Sequence, residues 1–129
     1  MKRICFSLQP LPAGISGTTF QSQPDADRYL VICDSTTSTQ KRRKTFGHEL
    51  AHILLGHFDT AATLDINTAG EAPKVFYKGE EIHSGDKTPI NLDTEPWELE
   101  ADAAAWSYYR KYKPTFAKLE DKGQAYLEV

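Results

Sequence analysis

Between Arg28 and Leu55 the hydrophobic pattern changes period, and that change constrains the fold more than any other feature of the chain. Arg28–Cys33, RYLVIC, is a β-branched, apolar run closed by Asp34, which predicts a central strand. From about Ser38 to Leu55 the apolar residues Phe46, Leu50, Ile53 and Leu54 recur at helical spacing instead. Thr37 and Gln40 are placed for a capping box at the start of this helix, and Gly56 for its stop. A strand leading directly into an amphipathic helix points to an α+β chain.

The flanking segments fill in the same picture. Arg3–Leu8, RICFSL, alternates with Ile4, Phe6 and Leu8 on one side and reads as a half-buried strand. The Pro-, Gly- and Ser-rich segment after it reads as loop, with a short strand near Thr18–Gln21. Asp59–Glu95 is long and weakly patterned, with one strand at Lys74–Lys78 and a turn at Gly79; connections of this length inside a small domain are more often functional or mobile than idle. Pro96 opens a second helix over Trp97–Tyr112, whose stripe of Trp97, Ala101, Ala104 and Tyr108 reads as core packing. Pro114 closes it, and the tail TFAKLEDKGQAYLEV has room for one more short helix.

With 129 residues and 40% apolar composition, the chain is expected to form a single domain over 1–129 with a real core. A net charge of -3 gives no reason to expect a nucleic-acid partner. The most apolar stretch, around Ala51–Leu55, is far short of the roughly 20 residues that span a membrane. Ser7, Gln9 and two prolines interrupt any secretory apolar region near the N-terminus, so a cytoplasmic location is expected. Cys5 and Cys33 lie in strand-like segments without C-x-x-C spacing and read as buried free thiols.

The chemistry is concentrated in KTFGHELAHILLGH, Lys44–His57. On a helix His48 and His52 are one turn apart on one face, a spacing that lets both imidazoles hold one Zn²⁺ at about 2.0–2.1 Å. Glu49 lies about 100° around the helix from His48, beside such an ion, where a base can take a proton from an activated water. Chance alone yields H-E-x-x-H in a chain of this size with odds on the order of a few per thousand, so the motif needs a third ligand to support it.

Two candidates follow. His57 would stand about 140° from His52 if the helix continued, off the metal face, although a break at Gly56 can swing it round; it is the alternative ligand. Glu98 and Asp102 are four apart on the second helix, so Glu98 can complete the ligand set while Asp102 accepts the outer N–H of a ligating histidine. Glu100 lies about 200° around from Glu98 and does not share Asp102's face, which favours Glu98 over Glu100.

With YLVICD, KRRKTFGHELAHILLGH and the later ELEAD in view, the chain resembles the ImmA/IrrE family of small zinc peptidases, within the gluzincin group, over about residues 28–112. The resemblance implies a small gluzincin-like α+β domain: a short, mostly antiparallel sheet packed on the HExxH helix and on a second, ligand-bearing helix. It implies one Zn²⁺ per chain, His48, His52 and Glu98 as ligands, Glu49 as general base and Asp102 behind the ligands. The implied partner is a protein substrate of the repressor or antitoxin type. The chain departs from the family at Ala104, where a phenylalanine is usual.

The expected function is therefore a zinc-dependent endopeptidase. Zinc lowers the pKa of its water to about 7 and polarises the scissile carbonyl, and Glu49 moves the proton. His83, Tyr77, Tyr108 and Tyr109 are candidates to stabilise the oxyanion. The basic run Lys41–Lys44 reads as a solvated helix face. The alternative is a non-catalytic metal- or partner-binding module on the same scaffold; the intact Glu49 favours the enzyme, since a purely structural site has no use for it.

Overall fold

In chain order the elements are β1 (Arg3–Gln9), β2 (Gly17–Gln21), β3 (Arg28–Asp34), α1 (Thr39–Leu54), β4 (Thr63–Asp65), β5 (Lys74–Tyr77), β6 (Glu80–Ser84), α2 (Pro96–Lys111), α3 (Lys113–Lys122) and β7 (Gln124–Glu128). The computed structural model describes residues 1–22, 27–58 and 96–129 in full, and residues 63–65, 74–77 and 80–84 as strand backbone. The main sheet has four strands in the order β2-β3-β1-β7, and β4, β5 and β6 form a second, antiparallel sheet of three.

The main sheet is mixed. β2 is antiparallel to β3 and β7 to β1, but the central pair is parallel, with Ile4 opposite Tyr29 and Phe6 opposite Val31. β3 returns from β2 into the position beside β1, so the two most apolar strands become neighbours. Their alternate residues Ile4, Phe6, Tyr29, Val31 and Cys33 are buried on one face. α1 and α3 cover that face with Phe46, Leu50, Ile53, Phe116 and Leu119. Phe46 anchors the layer, its ring 4.8 Å from Phe6 and 5.4 Å from Phe116.

The ends of the helices refine the sequence reading. Ser38, not Thr37, caps α1: its hydroxyl accepts the Lys41 N–H at 3.2 Å, while the Thr37 hydroxyl donates to the Asp34 carbonyl at 2.9 Å. The Asp34 carboxylate already gathers the Leu11 and Thr36 N–H groups and the Thr36 hydroxyl, which fixes the strand-to-helix turn and moves the cap one residue on. Gly56 stops α1 as predicted, at φ 77°. The tail contains the expected helix, α3, and also a strand that the sequence reading omitted. Gly123, at φ 73°, reverses the chain so that β7 pairs with β1. Cys33 is buried, but Cys5 is exposed on the outer face of β1, because alternation sends it opposite to Ile4 and Phe6. The predicted turn at Gly79 lies outside the described residues.

While α1 and α3 make the main helical contacts with the sheet, α2 packs antiparallel along α1. The two helices approach so closely that a Cβ on Gly47 would stand 1.8 Å from the Ala105 carbonyl oxygen and 2.6 Å from its carbon. Ala51 and Ala101 are also fully buried. Of the predicted stripe Ala101 is fully buried and Tyr108 packs partly buried against the core, and Ala105, outside that stripe, is buried as well. Among the described residues no helix is long and apolar enough to cross a membrane.

Replacing a helical glycine by alanine ordinarily gains about 1 kcal/mol. Gly47→Ala should do the reverse, losing about 1–3 kcal/mol, because the atoms in its way are backbone and only a separation of the helices relieves them. Urea unfolding that gives a lower midpoint with an unchanged slope checks this.

Candidate metal centre

The register of α1 against α2 brings three ligand atoms together. His48 and His52 point the same way, with ring centroids 4.7 Å apart and Nε2 atoms 3.0 Å apart. Glu98, in the first turn of α2, reaches across with Oε2 at 2.8 Å from His48 Nε2 and Oε1 at 3.2 Å from His52 Nε2. His48, His52 and Glu98 are the one group among the described residues with three ligand atoms mutually within 4.8 Å. Atoms bound tetrahedrally at about 2.0–2.1 Å from one zinc lie roughly 3.3–3.4 Å apart, so a small expansion of the shell separates this arrangement from a ligated one.

Following the protons shows what the cluster fits. Carboxylates only accept, so Asp102 Oδ1 takes the Nδ1–H of His48 at 3.1 Å. Glu100 Oε2 likewise takes the Nε2–H of His57 at 3.0 Å. In neutral His57 that leaves Nδ1 as an acceptor, and it takes the Nδ1–H of His52 at 2.9 Å. Both inner Nε2 atoms then carry lone pairs directed at each other and at the Glu98 carboxylate. Three acceptors facing one another repel, and a cation held among them satisfies all three. The donor set of two imidazoles and one carboxylate is the kind that binds zinc and leaves a coordination position open.

The same geometry governs protonation. When a proton takes the place of a cation in the cluster, the histidines donate to Glu98: burial alone would raise its carboxyl, but these hydrogen bonds from His48 and His52, and their charges, outweigh it and hold it at about 2. Burial alone would lower His48; the hydrogen bond to Glu98, the charges of Glu49 and Glu98 and the hydrogen bond to Asp102 instead raise it above its ordinary value.

Glu49 is buried beside this cluster and lines the same cleft, of about 820 Å³, which lies within the usual size range of ligand sites. The cleft runs between β2 on one side and Trp97, Glu98 and Asp102 of α2 on the other. The Thr19 hydroxyl, on β2, donates to Glu49 Oε2 at 2.5 Å. Gly17 lets the strand come this close: a Cβ there would stand 2.5 Å from the Thr45 methyl and 3.2 Å from Glu49 Cγ. Neither Gly17 nor Thr19 was singled out from the sequence. Nothing in SGTTFQ marks it as facing a helix that follows a further strand.

His57 takes the alternative route the glycine break allowed, but it meets the outer nitrogen of His52 rather than the ligand cluster, and Glu100 holds its far side. Tyr108 and Tyr109 stand more than two turns along α2 from Glu98, pack against the core and are absent from the cleft lining; Tyr109 stacks edge-on against Phe116 at 5.3 Å. Tyr77 ends β5 and His83 lies in β6, and their side chains fall outside the described residues. The basic run is divided: Arg42 pairs with Glu120 at 2.8 Å, Arg43 lies over the Tyr109 ring, and Lys44 is 3.6 Å from Asp102.

No protein family, curated protein or solved structure matches this chain.

Elemental mass spectrometry on purified protein should find one zinc per chain, lost in Glu98→Ala and retained in Glu49→Gln. A ligating histidine must shed its proton, and the His48 value is raised, so protons should begin to compete at a higher pH than for a free imidazole. Below that point the apparent zinc affinity should fall about tenfold per pH unit for each competing proton, as calorimetric titration across pH would record.

Proposed function

We propose that the chain is a zinc-dependent endopeptidase that hydrolyses a peptide bond in a protein substrate. One observation carries the reading: the His48 and His52 lone pairs and the Glu98 carboxylate converge within 2.8–3.2 Å, with a buried carboxylate, Glu49, alongside that is not one of the three. A structural zinc site is closed by four protein ligands and has no role for such a base. The resemblance of KRRKTFGHELAHILLGH and ELEAD to the ImmA/IrrE family supports the same reading and points to a repressor or antitoxin-like regulator as substrate.

His48, His52 and Glu98 would hold the zinc, which when bound acidifies water and polarises the scissile carbonyl. Asp102 fixes the His48 ring so that Nε2 faces inward. Glu49 accepts the proton from the attacking water and passes it to the leaving amine, the general acid/base step. The Thr19 hydroxyl holds the Glu49 carboxylate by one oxygen, so the other is left to meet the water. Burial of Glu49 strengthens its interaction with any positive charge in the cleft and keeps bulk water from competing for it.

Glu49→Gln preserves shape and removes the base. Zinc content should be unchanged, and turnover of a quenched-fluorescence peptide library should fall by about 10²–10⁴. Equal product release by zinc-loaded wild type and Glu49→Gln would show that Glu49 catalysis is not the function.

A further inference from the structure

The end of α1 builds a second hydrogen-bonded chain behind the metal cluster, and it originates in backbone geometry. The His57 N–H bonds to the His52 carbonyl at 3.0 Å and the Gly56 N–H to the Ile53 carbonyl at 3.2 Å, with Gly56 in the left-handed region. This pair of bonds is the Schellman ending of a helix, which returns the residue after the glycine onto the residue five before it. Usually the two side chains that meet are apolar. Here they are His57 and His52, and the contact is a 2.9 Å hydrogen bond between their Nδ1 atoms.

We infer that His57 and Glu100 are positioning residues that hold His52 in its ligating tautomer, through the chain Glu100 carboxylate, His57 ring, His52 ring. The inference rests on the proposed zinc site. Glu100 fixes the His57 proton on Nε2, so His57 Nδ1 must accept; that acceptor fixes the His52 proton on Nδ1; and His52 Nε2 is left bare toward His48 and Glu98. Each ligating histidine is therefore backed by a carboxylate, His48 directly by Asp102 and His52 through an intervening imidazole by Glu100. The intervening ring is needed because His52 sits one turn nearer the end of α1 with its outer nitrogen turned toward the capping turn. His57 is only 5% exposed, so water cannot easily replace it, whereas the Glu100 side chain is 37% exposed and water can partly take its place.

The test measures zinc affinity by chelator competition in wild type, His57→Leu, His57→Asn and Glu100→Ala, with nitrogen-15 NMR of the zinc-loaded wild type. His57→Leu should bind zinc about 10–100-fold more weakly, since it strands the His52 Nδ1–H. His57→Asn, whose carbonyl can stand where Nδ1 stood, should recover most of the loss, and Glu100→Ala should lose less than His57→Leu. The spectrum should show His52 protonated at Nδ1 and His57 at Nε2, a signature that needs no variant to fold. Unchanged affinity in His57→Leu, or the opposite tautomer at either ring, would overturn the relay while leaving the zinc site standing. Absence of zinc binding by wild type would overturn both.

Discussion

The close approach of α1 and α2 is the constraint on which the rest depends. An imidazole and a carboxylate on separate helices can share one ion only if the helix axes are near, and at Gly47 the separation is set by the absence of a single Cβ against the Ala105 carbonyl. Small residues at Ala51 and Ala101 keep the helices together along their length. The cost is a glycine in mid-helix, which by itself weakens α1. The larger apolar residues on an adjoining face of α1, Phe46, Leu50 and Ile53, compensate by docking it on the sheet.

α1 is thus read three ways around its circumference. One face is core, a second is the small-residue seam with α2, and between them His48, Glu49 and His52 look into the cleft under β2. Changing the direction of any one face would misplace the other two, since a helix rotates as a unit. The seam and the cluster are also coupled in energy. The converging acceptors in the cluster repel one another unless a proton or a cation lies between them, so tight packing at Gly47 holds together groups that would otherwise separate. A preorganised ligand set of this kind loses little conformational entropy when it binds an ion.

Period and punctuation identified β1, β3, α1, α2 and the stop at Gly56, because these are local properties of the backbone. The cap moved from Thr37 to Ser38 because Asp34, from the preceding strand, tied up the turn. The last strand was passed over although Ala125 and Leu127 alternate with polar residues, since five residues acquire strand character only by pairing with β1 at the far end of the chain. As single residues His57 and Glu100 each read as a possible ligand. Their joint arrangement behind His52 depends on a helix-ending turn and on a neighbouring helix together.

By itself the sequence determined the helix that carries His48, Glu49 and His52, and the pairing of Glu98 with Asp102 on a second helix, because residues four apart on a helix share a face wherever that helix lies. It also determined that the first helix ends at Gly56. Only the tertiary structure decided that Glu98 meets both histidines, that Asp102 serves His48 while His57 and Glu100 serve His52, and that Thr19 from β2 reaches Glu49. Those contacts join residues distant in the chain, and their partners are chosen by how closely two helices and a strand can pack, which no local pattern encodes.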